Sequence, residues 1–362
     1  MRLESLEAFP IVVKVDEKLR AGTFTYSQYQ TVVVKAVCDG VGGWGEAMTR
    51  FEPEATALLV RYFGRQIMGS EFATPGVAWG KLWKELRVRG HTRGIDVEAL
   101  SGVEMALFDC YGKLKRSPIS KLLFKDSRSS VEVYAGSIFQ SRGPLEGQIS
   151  RAKNAGMKGA KVKVGFGVKK DEGLMRLARR AWPDGMLVAD ANGAYDAKSA
   201  LKACELLKRL GLEWFEEPVP SDDWEGYRLL RGNGVPIGAG EAWFGGDLQY
   251  AVENELIDIL EPSVSRCGGI GVLADAAKLA RREGLGFSPM TGANSAISLA
   301  ASLQVACAFP TVGVETSPFP NPLLHDLAHG FHPAKNGAMR VPTGPGLGIE
   351  VDESFVRKAA AV

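Results

Sequence analysis

The feature that most constrains this chain is a repeating beat in its second part. Short apolar runs begin at Val131, Ala160, Met186, Leu212, Pro236, Asp258, Leu285 and Thr311, so successive starts lie 22 to 29 residues apart. Most of the intervals hold an amphipathic stretch such as "DAKSALKACELLKRLG" or "GVLADAAKLARREG". Eight buried strands alternating with helices at a near-constant interval predict a closed (β/α)-barrel. The competing architecture is an open, doubly wound sheet. It normally uses fewer strands and carries a glycine-rich phosphate turn after the first, which "YAGSIFQSRG" does not match.

Ahead of the beat the pattern differs. Extended runs rich in β-branched residues ("IVVKV", "TVVVKAVCDG") lead into a glycine turn, "GVGGWGEA". Helical stretches follow over "EATALLVRYFGRQIMG", "GVAWGKLWKELRVRG" and "DVEALSGVEMALFDCYGKL", the last opening on Asp96 as a candidate cap. Strands followed by helices predict an α+β module. The 362 residues thus divide into an N-terminal α+β domain over residues 1–125, a barrel over 126–317, and a Pro- and Gly-rich segment over 318–362 that is expected to return to the N-terminal domain.

Charge narrows the range of partners. With 44 basic against 42 acidic side chains the net charge is +2, so no general field draws nucleic acid or an anionic membrane, and a small molecule is the expected partner. No apolar run reaches the ~20 residues of a membrane span. Five scattered cysteines without a CxxC pair point to reduced thiols and a cytoplasmic location. A homo-oligomer is expected.

The chemistry lies where the strands end, since barrel enzymes work at the C-terminal mouth. The third run ends in Asp190, the fourth in Glu216 and the fifth in Glu241. Three carboxylates aimed at one spot repel one another unless a hard divalent cation with oxygen ligands sits among them, and Mg2+ suits that set. The plainer alternative is that each acid caps the helix after it. On the second run Lys161 and Lys163 are two residues apart and project to one side. Near each other and near a metal, one of them should have a lowered pKa and serve as a general base. The plainer alternative is a solvated pair on a strand edge. Metal, base and carboxylate substrate together define a reaction in which the proton on the carbon next to the carboxylate is removed and the metal stabilises the resulting charge.

These residues resemble the enolase superfamily, in its mandelate racemase and muconate lactonising group. "GWGEA", "KVKVGFG", "DANGAYD", "WFEEPV", "GAGEAW", "SRCGGI" and "GPGLGIE" follow in family order along essentially the whole chain. The resemblance implies a capping domain over a modified (β/α)7β barrel of the TIM type. It implies one Mg2+ per subunit held by Asp190, Glu216 and Glu241, with Lys163 as the catalytic lysine and Lys161 as its companion. Asn192 falls on a position lining the site, and Glu315 on one that hydrogen-bonds a carboxylate substrate. Arg20 and Arg50, in the cap loops, are candidates for a distal carboxylate.

Two positions depart from the family pattern. Ser263 stands on the sixth strand where members carry an aspartate or a second lysine. The seventh strand reads "FSPMTGANS", with Met290 and Thr291 at the mouth and no histidine. Proton transfer from a single face follows, which favours dehydration of a sugar acid or cycloisomerisation of its lactone, as in the acid-sugar branches of the group. The alternatives are a racemase, epimerase or muconate-type cycloisomerase, and a metal-retaining binding protein without turnover. A tail histidine, His325 or His329, folding over the mouth would supply the missing partner.

Overall fold

The computed structural model describes residues 1–291 and 295–360. Its N-terminal part is an antiparallel sheet of β1 (Leu3–Ala21), β2 (Phe24–Cys38) and β3 (Val41–Met48), backed by helices α1 (Pro53–Ile67), α2 (Pro75–Val88) and α3 (Ile95–Leu114). The segment read as a glycine turn is in fact strand β3. The turn precedes it at Asp39 and Gly40, both with positive φ. The glycines serve close packing instead: a Cβ on Gly45 would stand 2.1 Å from the carbonyl oxygen of Gly102 in α3, and one on Gly43 would stand 2.4 Å from that of Ala106. Asp96 is not the cap of α3, whose N-cap is Gly94; it lies in the first turn and meets His91 Nδ1 at 3.0 Å.

The barrel follows as β4 (Ser130–Ile138), β5 (Gly159–Lys163), β6 (Met186–Asp190), β7 (Trp214–Glu216), β8 (Ile237–Ala239), β9 (Ile259–Leu260), β10 (Gly286–Phe287) and β11 (Val314–Thr316). All eight strands fall on the predicted beat. They run parallel in the order β10-β9-β8-β7-β6-β5-β4-β11, and Val312 N donates to Phe287 O at 3.0 Å across the β10–β11 seam. Among the described residues the strands are linked by the helices Leu145–Asn154, Val168–Ala181, Ala197–Leu207, Trp224–Leu230, Gly245–Glu253, Ile270–Arg282 and Ala296–Ala306. Eight strands with one such helix in each of the seven gaps make a (β/α)7β barrel. Tyr134, Met186, Val188, Trp214 and Ile259 fill its interior, so the lower half is a packed core and side chains above it have no route downward.

After residue 317, Ala338–Arg340 adds an antiparallel strand to β4, and helix Glu353–Ala360 lies against β1 with Glu353 bonded to Lys35 at 2.6 Å. No helix of the described residues is long and apolar enough to cross a membrane.

Helix α3 joins the two parts. Nearly every residue along its middle is buried, because one face meets the sheet and the other meets the barrel. Three of its polar residues reach the "SRCGGI" turn after β9. Glu98 takes Arg266 Nε at 2.8 Å, Ser101 Oγ accepts from Gly268 N at 2.9 Å, and Glu104 accepts from Ile270 N at 2.7 Å and Gly271 N at 2.8 Å. Burial pushes the Glu104 carboxyl up to about 8, against the two backbone N–H groups that pull it down. A raised folded-state pKa means that the folded protein holds a proton the unfolded chain has released. Stability contributed by Glu104 is therefore full in acid and declines as pH rises from about 5 to about 8. Urea titrations of wild type and Glu104→Gln across that range should show the wild type losing stability relative to the variant as pH rises. A difference that does not change with pH would place the proton elsewhere.

Candidate active site

The register of the barrel strands assembles the site. Along β5 the side chains alternate, so Val162 joins the core under the helices while Lys161 and Lys163 face the interior. Lys163 is the register partner of Asp190, and Asp190 of Glu216. Glu241 follows one step on, beyond Gly240, whose φ of 144° and contact with the Glu261 backbone leave no room for a side chain. Asp190, Glu216 and Glu241 are all buried, and so are both lysines.

Each of the three carboxylates stands against a different cation. Lys161 Nζ donates to Glu216 Oε1 at 2.6 Å and also lies 3.0 Å from Glu315 Oε2 and 3.4 Å from Asp190 Oδ2. Lys163 donates to Asp190 Oδ2 and, at 3.0 Å, to Asn192 Oδ1. Arg50 reaches in from the cap to Glu241 and also meets Tyr26 OH at 3.4 Å. Burial alone would raise the acids. The ammonium groups beside Asp190 and the guanidinium beside Glu241 outweigh it, and both carboxyls lie below the usual carboxylate range. Glu216 goes the other way: burial and the neighbouring Asp190 push it well up.

The lysines do not show the lowered pKa expected from the sequence. Burial does pull both down, but Asp190 raises Lys163, and Glu216 with Glu315 and Asp190 raises Lys161, leaving both above the ordinary lysine value. Pairing with carboxylates is the stronger effect in this arrangement.

The pocket above these groups has a volume of about 110 Å³. Lys161, Lys163, Asn192 and Glu241 form its floor, Glu315 and Met290 one side, and Tyr26, Thr49 and Arg50 of the cap its roof. Thr291 Oγ1 donates to the Glu315 carbonyl at 3.3 Å. Arg20 does not reach the pocket: it lies at the end of β1 with its guanidinium over the Phe166 ring at 5.3 Å. Ser263 is buried outside the pocket lining, its Oγ 3.3 Å from that of Ser265 and its backbone bridged to Met290. The tail histidines are engaged elsewhere, His325 with the Phe319 carbonyl at 3.1 Å and His329 opposite Glu350 in a short ladder. Residues 292–294 of the seventh-strand segment lie outside the described residues.

Two further acids were not assigned to the site from the sequence: Glu217, which the motif does not select over Glu216, and Glu261. Glu217 is buried with an unpartnered Oε1 and a φ of +38°, and burial with Glu241 and Asp190 nearby pushes it up to about 7. Its strained backbone beside the strand end is the kind of feature that marks functional positions. Glu261 follows β9 as Glu216 ends β7, so the same beat that selected the other acids pointed to it. It is fully buried, neither oxygen has a hydrogen-bond partner among the described residues, and it lies against Gly238 and Trp214.

Three buried carboxylates at adjacent strand ends, with Glu216 Oε2 also buried and unpartnered, have the donor chemistry a hard divalent cation requires. As the side chains stand, turned to their lysines and arginine, no three acids, histidines or cysteines among the described residues converge on one point. Removing a single cation exposes how much the cluster depends on it. Lys161→Met leaves Glu216 and Glu315 without their ammonium and Asp190 with Lys163 alone, and a loss of about 3–5 kcal/mol in unfolding free energy is expected by chemical denaturation. A loss below about 1 kcal/mol would mean that the carboxylates are neutral in the folded state.

The chain matches two family descriptions, "Mandelate racemase / muconate lactonizing enzyme, N-terminal domain" over residues 10–123 and "Enolase C-terminal domain-like" over residues 145–355. It is 29% identical to the D-galactarolactone cycloisomerase of Agrobacterium fabrum (strain C58) over 97% of each chain, and 28% identical to the arabinonate dehydratase of Saccharolobus solfataricus over 86% of each. Its fold superposes on the 3,6-anhydro-D-galactonate cycloisomerase of Zobellia galactanivorans with a TM-score of 0.90, at 26% identity and 99% coverage of both.

Proposed function

The chain belongs to the mandelate racemase and muconate lactonizing enzyme group of the enolase superfamily, as a lyase or isomerase, and we propose that it removes the α-proton of a sugar acid or sugar-acid lactone through Lys163 in a one-base dehydration or cycloisomerisation. The observation that carries this reading is the pocket wall. Lys163 and Lys161 are the basic groups on the floor, Lys161 held by Glu216 and Glu315, and the facing side presents Met290 and Glu315 with no histidine among the described lining residues. Relatives acting on galactarolactone and arabinonate support the substrate class.

Asp190, Glu216 and Glu241 would hold Mg2+, which supplies positive charge beside the substrate carboxylate, where negative charge develops as the proton leaves. The remaining work belongs to the chain. Lys161, anchored by Glu216 and Glu315, stays protonated and offers a fixed charge to a carboxylate oxygen. Lys163 acts as base only once neutral, so it serves when Asp190 is turned from it and burial, which lowers its pKa, prevails. Its Nζ then takes the α-proton, and Asn192 Oδ1 keeps the ammonium oriented. In a dehydration that ammonium returns the proton to the departing β-hydroxyl on the same face, and water leaves. In a cycloisomerisation the lactone oxygen departs as a carboxylate and the ammonium re-protonates carbon. The cap residues Tyr26, Thr49 and Arg50 close the pocket from above and exclude water.

The test combines one variant with one solvent. Candidate sugar acids and lactones are incubated with enzyme and Mg2+ in deuterated water, following both the α-proton and optical activity. Wild type should exchange with retained configuration and give an eliminated product by the syn route. Lys163→Ala should lose about 10²–10⁴-fold in rate with its fold intact by circular dichroism. Fast exchange with loss of optical activity would restore the racemase, and absence of any exchange would favour a binding protein.

A further inference from the structure

Two cysteines of the cap meet in its core. Cys38 is the last residue of β2, and Ala36, two residues earlier, projects to the same side, into the core shared with α3. Cys110 lies on α3 and presses its thiol onto that side, with Sγ 3.4 Å from the carbonyl oxygens of both Ala36 and Val41. Val41 is the cross-strand partner of Cys38 in β3, so the two carbonyls bracket Cys38 and the thiols of Cys38 and Cys110 are in contact. Gly43 makes the approach possible, since a Cβ there would stand 2.6 Å from Cys110 Sγ. The other three cysteines lie in separate segments of the barrel: Cys204 in helix Ala197–Leu207, Cys267 in the turn before helix Ile270–Arg282, and Cys307 at the C-cap of helix Ala296–Ala306.

The two thiols are unequal. Donation from the Cys110 S–H to the Cys38 sulfur holds Cys38 below the ordinary cysteine value against its burial, while the same contact and burial push Cys110 up. The thiolate is the reactive form, so Cys38 is the nucleophile of the pair and Cys110 its partner. The place of Cys38 in the fold agrees with that role. Both sulfurs are buried, but Cys38 adjoins the exposed turn of Asp39 and Gly40, where the sheet ends. Strand ends beside a turn open locally more readily than the middle of a core.

We propose that Cys38 and Cys110 are a redox-active pair that a peroxide closes to a disulfide. The Cys38 thiolate attacks one peroxide oxygen and breaks the O–O bond, giving a sulfenic acid and a hydroxide that takes up the proton Cys38 released. Cys110 then attacks the Cys38 sulfur; the S–S bond forms, the S–O bond breaks, and the departing hydroxide leaves as water with the Cys110 proton. The thiols are oxidised and the peroxide is reduced, and a thiol reductant reverses the reaction. The bond encloses α1 and α2 in one covalent loop and ties β2 to α3. Near its start β2 carries Tyr26 into the pocket roof, and α3 holds the barrel turn after β9, so closure stiffens the cap between those two contacts. The pair is independent of the chemistry proposed for the barrel mouth.

The test treats the folded wild type with hydrogen peroxide, alkylates the remaining thiols in denaturant and maps the peptides by mass spectrometry. Free thiols should fall from five to three, with Cys38 joined to Cys110, and dithiothreitol should restore all five. The oxidised form should melt at a higher temperature, and the reductant should cancel that gain. Cys110→Ala removes the partner, so its Cys38 should accumulate as a sulfenic acid that dimedone captures. Cys38→Ala should leave Cys110 unmodified at the same dose. Five free thiols at a dose that already oxidises methionine overturn the proposal, as does a bond between any other pair or cross-linking between chains in place of the internal bond. Modification of Cys110 in Cys38→Ala overturns it as well. The wild-type peptide map decides the question even if either variant fails to fold.

Discussion

The buried ammonium of Lys161 holds the upper barrel together. It lies within 3.4 Å of carboxylates from three strands: Asp190, Glu216 and Glu315. Those strands belong to opposite sides of the sheet order, with β11 closing onto β4 and β6 and β7 lying beyond β5. Without a cation at the centre, the acids would face each other across an interior already sealed from below by Tyr134 and Trp214. Charges removed from water in this way are tolerable only when paired. The same pairing is a resource for catalysis, because it keeps several carboxylates and two amines in one small, dry volume where each sets the proton affinity of the others.

The cap depends on a second set of buried polar contacts. Glu98, Ser101 and Glu104 of α3 satisfy the turn that leads into helix Ile270–Arg282, and Asp109 of the same helix accepts from Trp44 N at 2.9 Å and Leu347 N at 2.8 Å. Glu46 of β3 takes hydroxyl donors from Thr31 in the cap and from Ser295 and Ser298 in the barrel. Backbone groups at these turns would otherwise be buried without partners, so the cap's position over the mouth is a hydrogen-bond requirement as well as an apolar contact. That fixed position delivers Tyr26, Thr49 and Arg50 to the pocket roof.

Local signals account for what could be read in advance. Apolar runs of strand length and the acids that end them are properties of consecutive residues, so the eight strands, the intervening helices and the alignment of Asp190, Glu216 and Glu241 were legible from the chain. The two-residue spacing of Lys161 and Lys163 implied a common direction for the same reason. Glu261 obeys the same logic, since it ends the run that starts at Asp258. The glycines of β3 misled because glycine signals a turn locally, while its use here is to admit α3, a partner some 60 residues away.

The sequence by itself determined the architecture and the inventory of the site, since hydrophobic period and strand-end chemistry act between neighbours along the chain. Tertiary structure alone decided which cation faces which carboxylate, that Arg50 and not Arg20 enters the pocket, that Ser263 stays outside the pocket lining, and that both lysines are raised in pKa. These outcomes rest on distances of a few ångströms between residues tens to hundreds of positions apart. Electrostatic energy in a buried site varies steeply over that range, and no pattern along the chain encodes it.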